Sequence, residues 1–159
     1  VKMNRRKKMT DTGPIFGSFD KKIRTFLKIT KSLRRWYGLY RTEQLRQCFI
    51  EKPFINVEVA IFLNLLKTGD FYECDNTFLH AFDEGISSKG ILNFIKSAKH
   101  NFIGTIFPFQ PFTFWCLKNL GLKQVLKNLD TLTLMNLGGG FAIAVDLYLK
   151  LRQFFSKKH

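Results

Sequence analysis

The sequence predicts an α+β protein that is helical in its first half and forms short antiparallel strands in its second. Apolar residues recur at helical spacing up to about Ala98, and short apolar runs separated by Gly and Pro follow Lys99. A block of charge at residues 4–8, followed by Gly13 and Pro14, is typical of an extended basic arm.

Three helices are expected before residue 70. Residues 20–37 carry apolar side chains at helical spacing, and seven cations cover most of the remaining surface. A second helix runs from Thr42 to about Glu51, and Pro53 stops it. Residues 54–66 are mostly apolar, which predicts a helix buried on more than one side and too short to span a bilayer.

Helices and strands alternate in the second half of the predicted fold. Pro108 and Pro111 argue against a long strand or a regular helix around them, and the three glycines that begin at Gly138 indicate a turn. The expected elements, in order, are a short helix at 77–81, a helix at 89–98, a hairpin at 102–107, a helix at 120–129, and strands at 131–134 and 141–148.

The basic excess of the chain is confined to two segments. The net charge of +14 divides into +11 for residues 1–53, −5 for residues 54–85 and +8 for residues 86–159. Two cationic segments around an acidic one indicate two separate surfaces for an anionic partner.

The sequence contains no motif of a known catalytic site. It lacks the Gly-x-Ser-x-Gly, His-Glu-x-x-His and phosphate-loop patterns, and the adjacent Asp83 and Glu84 would diverge on a helix. The three cysteines, Cys48, Cys74 and Cys116, lack zinc-site spacing and fit buried thiols in a reducing compartment. We therefore expect no enzyme, no metal and no cofactor.

Residues 31–41 interleave arginines with aromatic residues. Arginine forks pair with phosphate oxygens, and flat rings stack on unpaired bases. Trp36 is expected in the core, but so many cations on one helix repel each other unless a polyanion neutralises them. The pattern favours RNA as the partner.

Residues 33–38 (Leu-Arg-Arg-Trp-Tyr-Gly) followed by residues 43–46 (Glu-Gln-Leu-Arg) resemble small-subunit ribosomal protein S-four. In that family a basic helix ends in an aromatic-Tyr-Gly turn, and the next helix opens with a Glu/Lys-Gln-aliphatic-Lys/Arg run. Weaker similarities to the family's RNA-binding module and closing strand follow in the same order, at 76–80, 90–95, 96–104 and 144–150. The chain departs from the family at the module's arginine-led opening and at its paired histidines.

Charge and spacing predict a basic arm (1–19) and a C-terminal helix, strands and basic tail (113–159). The resemblance implies a helical rRNA-binding domain (20–73) and a degenerate RNA-binding module of two helices on a short antiparallel sheet (74–112). It implies a structural protein of the small ribosomal subunit, which binds rRNA at a multi-helix junction beside neighbouring ribosomal proteins and supports assembly and the mRNA entry region. The residues it places on RNA are Arg34, Arg35, Tyr37, Arg41, Gln44 and Arg46 in a first cluster, and Lys89, Asn93, Lys96, Lys99 and His100 in a second.

The Phe- and Lys-rich, Ala-poor composition indicates an AT-rich genome and favours a mitochondrial protein. One alternative is a small membrane-embedded subunit of an organellar complex, since residues 100–117 and 131–145 are uncharged. Pro108 and Pro111 in the first run and the shortness of the second argue against it, so a membrane is the less favoured partner. Another alternative is an accessory protein of the organellar ribosome that packs mainly on other proteins.

Overall fold

A computed structural model describes residues 13–29, 34–52, 54–73 and 107–156 of the chain. In these ranges, 74% of the residues lie in helices and none lies in a β-strand. The elements, in chain order, are α1 (Phe19–Ile29), a 3₁₀ turn (Arg34–Tyr37), α2 (Thr42–Cys48), α3 (Val57–Thr68), α4 (Gln110–Leu120), α5 (Leu122–Lys127) and α6 (Leu129–Ser156).

The predicted α+β class is wrong for the described part of the chain, which is helical. Both segments expected to be strands there, 131–134 and 141–148, lie inside α6, and so do the three glycines expected to form a turn. Short apolar runs fit a strand or a buried turn of helix equally well, and spacing alone does not separate the two. Within the described ranges, β pairing is limited to one bridge between Ile15 and Phe71.

Proline and glycine positions explain why helices form where the sequence argued against them. Pro111 stands in the first turn of α4, where its missing N–H group would have no helical partner in any case. Gly139 lies inside α6, where an added Cβ atom would be 2.6 Å from the Phe109 ring and 2.7 Å from Pro108. Gly139 therefore permits a close approach of two segments, and it does not form a turn.

Three of the expected helices are confirmed with shifted ends, since those at 42–51, 54–66 and 120–129 correspond to α2, α3 and α5. Of the expected helix at 20–37, the described residues form α1 up to Ile29 and a 3₁₀ turn from Arg34 to Tyr37. The cations of this region therefore do not share one helix.

The RNA-binding module expected at 74–112 lies mostly outside the described residues. Neither of its helices is described, and its hairpin at 102–107 is described only at Phe107. The basic arm at 1–19 is described only from Gly13, so the arm and the module both stay predictions.

The chain divides into two compact units. The first contains the described residues 13–49 and 61–73, and the second contains those within 50–60 and 107–156. The first turn of α3 thus belongs to the second unit, and the rest of α3 belongs to the first.

The first unit is built around Phe62 of α3. The ring of Phe26 meets it edge-on, with 6.0 Å between centroids, and both side chains are fully buried. Ile15 and Phe71 exchange backbone hydrogen bonds of 2.8 and 3.0 Å, and Phe71 then meets Phe62 with 6.1 Å between centroids. Burial of each large apolar side chain contributes about 1.5–3 kcal/mol to stability.

Lys22 of α1 is buried, although the sequence places it among the exposed cations. Its Nζ atom donates hydrogen bonds to the carbonyl oxygen of Gly69 at 2.7 Å and to Oδ1 of Asp70 at 3.0 Å. The Lys22 side chain is 10% exposed, so this ion pair ties α1 to the chain that follows α3. Lys22 is occupied within the fold and does not offer its charge to a partner.

The second unit contains a helical hairpin in which α4 and the first half of α6 run antiparallel. Nδ2 of Asn136 donates a 3.0 Å hydrogen bond to Oγ1 of Thr113, while Phe109, at the start of α4, lies against Gly139, further along α6, and packs on the cluster of Ile55 and Ile143. Residues later in α6 thus contact residues earlier in α4, as in an antiparallel pair of helices.

Gly121 makes the break between α4 and α5. Its φ of 87° lies in the left-handed region that favours glycine. Its N–H group donates to the Leu117 carbonyl, and its own carbonyl accepts from the N–H groups of Gln124 and Val125. One residue thus ends α4 and starts α5.

In the described part of the chain, α6 is the one helix long and apolar enough to cross a membrane, over Leu129–Gln153. It is also the longest helix there, with 28 residues. The sequence analysis divides these residues into a helix end, two short strands and a turn, so it does not predict one long helix.

Candidate RNA-binding surface

The turn between the 3₁₀ element and α2 holds the motif that resembles the ribosomal family. The Arg35 carbonyl oxygen accepts hydrogen bonds from the Gly38 N–H group, at 2.9 Å, and from the Tyr40 hydroxyl group. An added Cβ atom at Gly38 would be 2.9 Å from the Tyr40 hydroxyl oxygen. A glycine at position 38 thus lets the Tyr40 side chain fold back over the turn.

The aromatic residues of the motif pack on the core. The Tyr40 ring stacks on Phe62, with 6.0 Å between centroids, and Trp36 meets the same ring edge-on at 5.8 Å. Burial raises the pKa of Tyr40 above its usual value, and Arg35 offsets part of that rise. Trp36 is 42% exposed, so it packs against Phe62 but is not buried in the core as expected.

Arg35 is used to hold the fold together. Its Nη2 atom donates a 2.6 Å hydrogen bond to the carbonyl oxygen of Gly13, and its guanidinium group lies over the Phe71 ring, 5.2 Å from the centroid. A partly desolvated cation in such a position contributes about 1–2 kcal/mol. The Arg35 side chain is therefore occupied by contacts within the fold.

Among the motif's arginines whose side chains the structure describes, Arg41 and Arg46 are exposed. Arg46 pairs with Glu43 at 2.9 Å, with both side chains about 70% exposed. An exposed pair of this kind is worth about 0–1 kcal/mol, so a phosphate group can replace the carboxylate. Gln44, also in α2, is half-buried.

α1 adds further exposed charge to the first unit. Lys21 and Lys28 are exposed, and Lys28 lies in the last turn of the helix. Together with Arg41, which directly precedes α2, the exposed ion-pairing groups of α1 and α2 are four cations and one carboxylate, Glu43. The first unit presents a net positive surface along these two helices.

The remaining predicted contacts lie beyond what the structure describes. The side chains of Arg34 and Tyr37 are not among the described ones. The whole second cluster, Lys89, Asn93, Lys96, Lys99 and His100, lies outside the described residues. The structure therefore places Arg35, Arg41, Gln44 and Arg46 in one unit and leaves the other predicted contacts as predictions.

Sequence reasoning missed the structural use of Lys22 and Arg35. Neither can be found from spacing, because the partners Gly69, Asp70 and Phe71 are far away in the chain.

Among the described residues, no group of three or more His, Cys, Asp or Glu side chains comes together to hold a metal ion. Burial raises the pKa of the Cys48 thiol, an effect that Lys67 partly offsets, and raises that of Cys116 to about 12. Both shifts favour the protonated thiol, which is the less nucleophilic form.

No family model matches the chain, and no curated protein or solved structure is significantly similar to it.

Proposed function

We propose that this chain is a structural protein of a mitochondrial small ribosomal subunit and that it binds small-subunit rRNA through α1 and α2. Three observations support this: the motif at 33–46, the net charge of +14, and the exposure of Arg41 and Arg46. A protein that neutralises phosphate groups with exposed arginines gains affinity by releasing counterions from the RNA.

The proposal rests on the division of the motif's residues between those packed on the core and those exposed to solvent. Trp36, Gly38 and Tyr40 pack or shape the turn, and Arg35 ties it to the core. Arg41 makes no side-chain hydrogen bond or ion pair with another described residue. The packed part thus fixes the start of α2, and the exposed arginine stands where a phosphate group can reach it.

We expect the double variant Arg41→Glu/Arg46→Glu to lose at least about 100-fold in affinity for small-subunit rRNA. Each charge-assisted hydrogen bond to a phosphate contributes about 1.5–3 kcal/mol, and both bonds would be lost. The dependence of log affinity on log salt should also become shallower, by about 0.7–0.9 for each lost phosphate contact. Filter binding of the full chain at several salt concentrations measures both quantities.

The matched control is Lys118→Glu/Lys123→Glu, which changes the net charge equally at two exposed positions of the second unit. It should keep both the affinity and the salt slope within about twofold. Equal losses in the two variants would mean that only net charge matters, and that result would contradict a site at α2.

A further inference from the structure

We infer that α6 spans a lipid bilayer and anchors the second unit in it. The inference goes beyond RNA binding and concerns a different unit of the chain. Its starting observation is length: the 25 residues of Leu129–Gln153 extend about 37 Å as a helix, whereas the hydrocarbon core of a bilayer is about 30 Å thick.

The face of α6 that points away from the hairpin is apolar. Leu132, Asn136, Gly139 and Ile143 form one stripe, which is buried or half-buried, toward α4. The opposite stripe, at the same helical spacing, contains Leu134, Leu137, Phe141, Val145 and Tyr148. A helix on the surface of a soluble protein carries polar or charged residues on that outer face. Here Leu134 is 69% and Phe141 72% exposed.

The degree of burial separates α6 from a core helix. A helix in the core of a soluble protein is mostly buried, but only 17% of the most apolar stretch of α6 is buried. A secretory signal sequence would lie near the N-terminus, whereas α6 begins at Leu129. Neither a core helix of a soluble protein nor a signal sequence therefore explains α6.

A bilayer fits the second half of α6 better than a protein partner does. Beyond Ile143, Val145, Leu147, Tyr148, Leu149 and Leu151 are all at least 38% exposed. These positions point in all directions around the helix axis, because successive residues turn by about 100°. A groove in a partner protein covers one side of a helix, whereas lipid surrounds it.

The charges lie where a spanning helix tolerates them. Between Thr131 and Leu149 the only charged residue is Asp146, about 10 Å along the axis from Gln153 and so close to the interface. Asp146 also lies on the side of the helix that carries Ile143, away from the outer stripe. Lys150 and Arg152 follow at the end of the helix, where their long side chains reach the phosphate headgroups.

The test is flotation of the full chain with vesicles of phosphatidylcholine and phosphatidylglycerol, present during cell-free synthesis and then washed in alkaline carbonate. We expect the chain to float with the vesicles after the wash. Extraction by carbonate would overturn the inference, because a protein held by headgroup charge or by another protein is released. Self-association that persists in the carbonate-soluble fraction would identify a second copy as the occupant and would also overturn it.

The variant Leu137→Lys/Phe141→Lys places two charges on the outer stripe without touching the stripe that faces α4. We expect its ratio of floated to soluble chain to fall at least about tenfold. Leu39→Lys/Phe49→Lys, at exposed positions of the first unit, adds the same charge and should float like the unmodified chain. Equal flotation of the two variants would contradict the inference, whatever the outcome of the RNA measurements.

Discussion

Replacing Phe62 with alanine is expected to destabilise the first unit by about 3–5 kcal/mol, a large part of the stability of a small domain. Four aromatic rings, those of Phe26, Trp36, Tyr40 and Phe71, lie within 6.1 Å of the Phe62 ring between centroids. Its removal leaves a cavity among rigid rings that cannot collapse to fill it. The same ring supports the turn before α2, so RNA affinity should fall together with stability.

The measurement is alkylation of Cys48 in increasing urea, read on its own peptide by mass spectrometry. Cys48 is buried at the end of α2, where its carbonyl oxygen accepts a hydrogen bond from Asn64 of α3, so it reports the integrity of the first unit. Phe49→Ala, at a position 56% exposed, is the control and should change the free energy of unfolding by less than about 0.5 kcal/mol, with little shift of the urea midpoint. Equal midpoints for the two variants would contradict the core described above.

Two neighbouring glycines of α6 should respond in opposite directions to the same substitution. Gly138→Ala is expected to stabilise the second unit by about 0.5–1 kcal/mol, because nothing lies within 4 Å of an added Cβ atom and alanine favours a helix. Gly139→Ala is expected to destabilise it by about 1–3 kcal/mol, because the Cβ atom would collide with Phe109 and Pro108.

Alkylation of Cys116 in urea, in mild detergent, measures this pair of variants. Cys116 is buried in α4, and its pKa of about 12 makes it reactive only when the unit opens. The two glycine variants serve as controls for each other, since they make the same chemical change one residue apart. A Gly139→Ala chain as stable as the Gly138→Ala chain would mean that α6 does not approach the start of α4 as closely as the structure has it.

The helices of the first half could be predicted from the sequence because their signals are local. Helical spacing and the stop at Pro53 identify α2 and α3 within a few residues of their observed ends. The division of the expected helix at 20–37 could not be predicted, since Lys22 and Arg35 are held by residues about 20 to 50 positions away in the chain. Such contacts override local propensity without leaving a pattern in the sequence.

The second half shows why a short apolar run is a weak guide. Alternating Thr and Leu at 131–134 and three glycines at 138–140 resemble a strand and a turn when each is taken alone. Over 28 residues without a proline, the continuous helix pairs the backbone groups of its interior locally, and Gly139 gains a close contact in exchange for its low helix propensity. The length of α6, which only the structure shows, removes the objection that this apolar run is too short to span a membrane.

For the candidate site, the sequence located the region but not the role of each residue. It placed Arg35, Arg41 and Arg46 together on RNA, and the structure separates the packed Arg35 from the two exposed arginines. Charge and residue type do not show which arginine lies over a ring such as Phe71.

The most direct test of the account is the sedimentation of the chain in a sucrose gradient of detergent-solubilised mitochondria. Detergent releases α6 from lipid, so only an association with RNA or protein remains. We predict that the chain sediments with the small ribosomal subunit and moves to the top of the gradient after ribonuclease digestion. A chain that stays at the top, or that sediments with a complex unaffected by ribonuclease, would contradict a ribosomal function.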